Sequence, residues 1–148
     1  MTRGIRNNNP LNIRCLEHGL EPSNKIKANN WKGRVMNKKD PDFEEFVSMT
    51  YGFRAALITI GNYIVKHGCN TIEAIIHRWA PPTDGNDTDS YIQHVCHITG
   101  IGGREVLTNR DPKLKKIVAA MSVIESGNNI RDYFDSLDRA WTSLELEQ

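Results

Sequence analysis

The sequence predicts a mainly α-helical (α+β) protein with a small irregular or β-containing lobe at its N-terminus. Its 148 residues suit one compact domain with a sizeable core. From Tyr51 onward, apolar residues recur every three or four positions, which is the spacing of amphipathic helices. Residues 1–50 are instead rich in Asn, Lys, Gly and Pro and lack that period. We therefore expect a single domain over residues 1–148, with a loop/β lobe at 1–50 and a helical lobe at 51–148.

The elements follow from local signals along the chain. In the first lobe, residues 43–47 (FEEFV) form the clearest strand signal, after a turn signal at Asp40 and Pro41. The first long helix begins near Tyr51 and ends at Gly68. The next three helices also have start and stop signals. The second helix begins at Asn70, with Glu73, and ends at Pro81; the third begins at Asp87 or Thr88 and ends at Gly100. The fourth begins at Asp111, with Pro112, and ends at Gly127. The apolar face of the last helix comprises Ile130, Tyr133, Phe134, Leu137, Trp141 and Leu144.

Composition excludes several classes of function. Lys and Arg number 19 against 18 Asp and Glu, so the net charge is only +1. We therefore expect no nucleic-acid partner, because no strong positive field and no basic helix face is present. No apolar run approaches the ~20 residues of a membrane span, and the N-terminus lacks the apolar stretch of a signal peptide.

We also expect no metal and no organic cofactor. The three cysteines are far apart, with no CxxC pair. His94 and His97 flank Cys96 on a predicted helix, but a fourth ligand and a carboxylate partner are missing.

Glu125 interrupts the apolar stripe of its helix. That stripe comprises Leu114, Ile117, Val118, Met121 and Ile124. Glu125 projects into the stripe and lies in the last turn, where the helix dipole disfavours negative charge. Both conditions favour the protonated form of a carboxyl group, which a general acid requires. Alternatively, the helix end frays and Glu125 turns to solvent, and periodicity alone leaves both interpretations open.

Residues 3–14 read RGIRNNNPLNIR, which resembles the RGIRNNNPGNIR segment of phage virion and prophage proteins of the lysozyme-like superfamily. Further matches occur, in chain order, at residues 31–33 (WKG), 42–46 (DFEEF), 51–55 (YGFRA), 78–82 (RWAPP) and 86–91 (NDTDSY, like the family's NxTxxY). Two departures stand out. Leu11 replaces the family's Gly, and residues 84–86 (DGN) replace a shorter Glu-Asn step.

The resemblance implies a lysozyme-like fold and also bears on Glu125. Enzymes of that superfamily carry a catalytic glutamate at a helix end in a motif similar to ESGxNP. Here residues 124–128 (IESGN) resemble its first half, whereas residues 9–13 (NPLNI) resemble its second half at the opposite end of the chain. A circularly permuted fold would bring the two halves together around one cleft, with Glu125 as catalytic residue.

A glycosidase also needs a group that stabilises or captures the reacting sugar, and side chains that bind the substrate. Glu44 and Glu45 are the candidate second carboxylates, and strand alternation lets only one of them face a cleft; a solvated strand edge is the alternative. Candidate substrate-binding residues are Arg6, Asn9, Asn12 and Tyr91. The asparagines equally suit turns, and the arginine equally suits solubility.

We expect a peptidoglycan-cleaving glycosidase, either a lytic transglycosylase or a muramidase, with Glu125 as general acid/base. By resemblance, it would act in a phage virion or in the host cytoplasm before release, next to other virion proteins. The alternative is a catalytically inert virion structural or peptidoglycan-binding protein with the same fold.

Overall fold

A computed structural model describes residues 1–15 and 31–147 of the chain. The described residues form α1 (Arg3–Arg6), α2 (Met49–His67), α3 (Ile72–Trp79), α4 (Thr88–Thr99), α5 (Lys113–Ser126) and α6 (Phe134–Leu146). Two short 3-10 helices span Pro82–Asp84 and Ile130–Tyr133. The mainly α class is therefore confirmed. No helix in the described ranges is long and apolar enough to cross a membrane.

The predicted helix ends largely match the structure. Gly68, Gly100 and Gly127 follow α2, α4 and α5 with φ of 67°, 73° and 63°, the left-handed conformation in which glycine is most easily accommodated. At the start of α3 the predicted cap is wrong. The side chain of Thr71, not Asn70, accepts the hydrogen bond from the Ala74 amide at 3.1 Å.

The predicted strand at residues 43–47 forms only in part. Two isolated antiparallel bridges pair Arg14 with Phe43 and Arg34 with Phe46. The amide of Phe46 bonds the carbonyl of Asn7 at 2.9 Å, so the segment binds three different neighbours instead of one partner strand. Apolar–polar alternation predicted the extended backbone but not the irregular segments around it.

The chain divides into two compact units whose boundaries fall within α2 and α5. Unit 1 comprises Met1–Ala56 with Ser122–Gln148, and unit 2 comprises Leu57–Met121. Residues 122–148 therefore group with the N-terminal segment and not with the helices between, unlike the lobe boundary expected at residue 50. The single lysozyme-like domain stays a prediction.

Each unit has its own set of buried apolar side chains. In unit 2, α3 packs against α4, and the fully buried residues include Ile72, Ile75, Ile76, Val95, Leu114 and Ile117. In unit 1 the buried apolar residues include Leu11, Phe46, Phe53, Leu137 and Ala140. The burial of Leu11 shows that the position where the family has glycine here anchors the N-terminal loop in the core.

The two glycines of α2 offer a test of the N-terminal packing. A Cβ at Gly52 would collide with the carbonyl of Asn8 and lie 2.7 Å from the Pro10 ring, whereas a Cβ at Gly61 meets open space. We expect Gly52→Ala to destabilise the protein by ~2–3 kcal/mol through overpacking. Gly61→Ala should instead stabilise it by ~0.5–1 kcal/mol through helix propensity. Urea unfolding measures both, and equal effects from the two substitutions would contradict this packing.

Candidate functional site

The end of α5 is bonded directly to the N-terminal loop, within unit 1. The side-chain amide of Asn12 donates to the Glu125 carbonyl oxygen at 3.0 Å. The Thr2 hydroxyl donates to the Ser126 carbonyl at 2.6 Å, and the Ser126 hydroxyl donates to the Pro10 carbonyl. The contact expected between the IESGN and NPLNI segments, which lie at opposite ends of the chain, is thus confirmed.

Glu125 lies half-buried in the last turn of an intact helix. The helix does not fray before it, because the amide of Gly127 still bonds the Val123 carbonyl at 2.9 Å. The backbone of Glu125 is therefore fixed on both sides, by the helix and by Asn12.

Asn9 and Asn12 have different environments. Asn9 is fully buried; its side-chain amide donates to the carbonyls of Ile13 and Glu44, both at 3.0 Å, and its oxygen accepts from the Ile13 amide at 2.9 Å. This geometry gives Asn9 the role of tying the loop together. Asn12 is half-buried, has a φ of 52°, and its Oδ1 accepts no hydrogen bond from any residue that the structure describes.

Glu44 and Glu45, the two candidate second carboxylates, both accept hydrogen bonds from other residues of the protein. Glu44 is buried, with 2% of its side chain exposed, and Arg34 Nε lies 2.9 Å from its Oε1. Oε1 of Glu45 accepts from the backbone amides of Lys39, at 2.7 Å, and Asp40. Of the two residues, Glu44 therefore faces inward, whereas Glu45 bonds the turn at residues 39 and 40.

Asp40 organises the surrounding segments and was predicted only as part of a turn. Its buried carboxylate accepts from Arg3 Nε at 2.5 Å, Arg3 Nη2 at 2.6 Å, Asn7 Nδ2 at 2.9 Å, and the amides of Asp42 and Phe43 at 2.9 and 3.1 Å. The hydrogen bond from Arg3 is the main reason why the pKa of Asp40 lies far below its ordinary value. The need of the RGIRN segment for a buried partner is the signal that could have identified Asp40.

A cleft of about 450 Å³ opens beside this group; its lining residues are Arg3, Arg6, Asn7, Lys39, Asp40, Pro41 and Glu45. The structure thus brings Arg6 and Glu45 onto one cleft, and Asn12 onto the backbone of Glu125. Tyr91 lies half-buried in α4 of unit 2. Within residues 1–15 and 31–147, no three His, Cys, Asp or Glu side chains gather as metal ligands.

Comparison of sequences relates this chain to a phage protein. The chain is 39% identical over 131 residues to Protein P5 of Pseudoalteromonas phage PM2, across 88% of this chain and 75% of P5. The chain therefore belongs to the family of this P5 protein. No protein-family model matches it. The expected relationship to phage proteins is confirmed, whereas membership of the lysozyme-like superfamily stays a prediction.

The Asp40 cluster predicts a defined response to acid. Since its folded-state pKa is depressed, the charged carboxylate stabilises the fold above its unfolded pKa of ~3.9, and that contribution is lost as pH falls further. Asp40→Ala should cost ~2–4 kcal/mol at pH 7, because Asn7 and two backbone amides lose their acceptor. It should also flatten the loss of stability that occurs as pH falls below ~4.

Asp135→Ala provides the control, because this exposed aspartate lies in the first turn of α6 in the same unit. Its removal should cost at most ~0.5–1 kcal/mol. Thermal melts across the pH range measure all three proteins, and a wild-type acid profile in Asp40→Ala would count against the Asp40 cluster.

Proposed function

We propose that the protein is a phage peptidoglycan-cleaving glycosidase with a circularly permuted lysozyme-like fold and Glu125 as general acid/base. The observation that carries this proposal is the hydrogen bond from Asn12 to the Glu125 carbonyl. It supports the hypothesis that the two halves of an ESGxNP-like motif, separated in sequence, form one site. Membership of a phage protein family fits an enzyme that opens the host cell wall.

Glu125 would perform both proton transfers of the reaction. As an acid, it protonates the glycosidic oxygen of the leaving sugar while positive charge develops at the anomeric carbon. As a carboxylate, it then removes a proton from the nucleophile that attacks this carbon. Its position in the last turn of α5, where Asn12 bonds its backbone carbonyl, supports both roles, because a group that transfers protons must be held in place.

The state of the other carboxylates supports an internal nucleophile. Glu44 is paired with Arg34, and Glu45 binds two backbone amides, so neither is set up to activate a water. In a lytic transglycosylase the 6-hydroxyl of the sugar itself attacks the anomeric carbon, and one glutamate suffices. We therefore favour transglycosylation over hydrolysis.

Glu125→Gln tests the assignment of the general acid. Because the amide cannot donate a proton to the leaving oxygen, lytic activity should fall by ~10²–10⁴-fold. The folded state should remain intact or become slightly more stable, since the substitution removes a carboxylate from a helix C-terminus. Clearing of peptidoglycan in a zymogram measures activity, and a urea titration measures stability.

The matched control is Glu145→Gln, an exposed glutamate in the last turn of α6. This variant should clear peptidoglycan as the wild type does. If Glu125→Gln also retains nearly full activity, Glu125 is not the catalytic acid.

The reaction products test the internal nucleophile. Mass spectrometry of digested peptidoglycan should find anhydro-muropeptides, which are lighter by one water than the corresponding reducing sugars. Attack by the sugar's own hydroxyl produces this difference, because no external water enters the product. Reducing ends alone would mean hydrolysis, and Glu44→Gln and Glu45→Gln would then identify the second carboxylate.

A second candidate function is a catalytically inert virion structural or peptidoglycan-binding protein. The engagement of Glu44 and Glu45 favours it too, because an inert protein needs no available second carboxylate. Sedimentation of wild-type protein with peptidoglycan without any clearing would support this candidate, and in that case other virion proteins become the expected partners.

A further inference from the structure

The cleft beside Asp40 has an uneven distribution of charge that the glycosidase proposal does not use. Basic residues at the cleft are Arg3, Arg6 and Lys39; acidic residues are Asp40 and Glu45, with Asp42 close by. The formal charges of these six residues cancel. What matters for a ligand is therefore which of them already have their hydrogen bonds satisfied by the protein.

The carboxylates of the acidic residues already accept hydrogen bonds from the protein itself. Asp40, with 3% of its side chain exposed, accepts from Nε and Nη2 of Arg3 and from three amides. Asp42 accepts from Arg3 at 3.0 Å. Glu45 caps the turn at residues 39 and 40 through its Oε1. The charge of Arg3 is shared by two carboxylates, which leaves it little attraction for a third.

Arg6 and Lys39 keep most of their capacity for a ligand. The side chain of Arg6 is 61% exposed, and its Nη2 lies 3.8 Å from Asp40 Oδ2, beyond hydrogen-bond distance. Among the described residues it makes no closer ion pair. Lys39 is exposed on the same cleft. A guanidinium group that shares a cleft with the ammonium group of a lysine is suited to binding a planar carboxylate.

We propose that Arg6 and Lys39 bind a carboxylate of the stem peptides that are attached to the peptidoglycan glycan. This inference rests on the proposed function, since it names the part of that substrate which the cleft recognises. Arg6 binds the carboxylate through its parallel N–H groups, and Lys39 adds a third charged donor. Arg3 bonds Asp40 and so attaches α1, the helix that contains Arg6, to the cleft.

The test compares binding to two preparations of insoluble peptidoglycan, intact sacculi and sacculi whose peptide carboxylates have been converted to amides with a carbodiimide and ammonia. All proteins carry Glu125→Gln, so that cleavage does not obscure binding. We expect this parent protein to sediment with intact sacculi at ~5- to 30-fold lower concentration than with amidated sacculi, as expected for two partly screened charged contacts. Adding Arg6→Gln and Lys39→Gln should abolish the difference.

The matched control adds Arg110→Gln and Lys116→Gln, which remove the same charge from exposed positions in unit 2; it should retain the full preference for intact sacculi. A urea titration of each variant verifies that it folds. Equal affinity for both preparations, or binding to neither, would overturn the inference. So would an equal loss in the control variant, because net charge alone would then explain the binding.

The inference and the proposed function fail separately. Full lytic activity of Glu125→Gln would refute the catalytic assignment and leave a carboxylate-dependent affinity intact as evidence for the cleft. Conversely, lysis by the wild type without any preference for intact over amidated sacculi would leave the enzyme and remove the cleft's role. Retention of the parent on duplex DNA that Arg6→Gln and Lys39→Gln abolish, with sacculus binding unchanged, would identify a phosphate ligand and also overturn the inference.

Discussion

The satisfaction of the last backbone carbonyls of α5 is the constraint on which the proposed site depends. A helix leaves its final carbonyl groups without intrahelical donors, and each one buried without a partner costs ~1–3 kcal/mol. Here the side chains of Asn12 and Thr2 bond the carbonyls of Glu125 and Ser126. The N-terminal loop is therefore the C-cap of a helix more than a hundred residues away. Gly4 permits this closeness, since a Cβ there would collide with Ser126 and lie 2.9 Å from the carbonyl of Asn9.

The loop can act as a cap because its own conformation is fixed from the other side. Asn8 and Asn12 both have φ of 52°, a conformation that asparagine tolerates better than other residues with a side chain. The buried side-chain amide of Asn9 donates to the backbone carbonyls of Ile13 and Glu44. Arg3 bonds Asp40 and so attaches α1, the helix that precedes the loop, to this buried carboxylate. The carboxylate of Asp40 and the three asparagines thus maintain the conformation of the loop. This loop follows Arg6 and bonds the backbone of Glu125.

Sequence reasoning predicted those features that local signals specify. Glycines and aspartates marked the ends of α2, α4 and α5 because capping is decided within a few residues. The meeting of Asn12 with Glu125 could be predicted only through the resemblance to a known motif, since periodicity contains no information on contacts so far apart. The role of Asp40 was missed for the same reason: its partner Arg3 lies 37 residues away, and an aspartate before a proline is also an ordinary turn signal.

The environment of the carboxylates favours the proposed mechanism with one glutamate over a mechanism with two. Recruiting Glu44 would separate a buried ion pair in which Arg34 is itself only 20% exposed, at a cost of ~3–5 kcal/mol. Recruiting Glu45 would release two backbone amides from their shared acceptor. Because each ~1.4 kcal/mol spent on rearrangement lowers the rate tenfold, either route would offset much of what a second carboxylate contributes. A nucleophile carried by the substrate avoids this cost, and the same buried pairs can then keep holding the loop that positions Glu125.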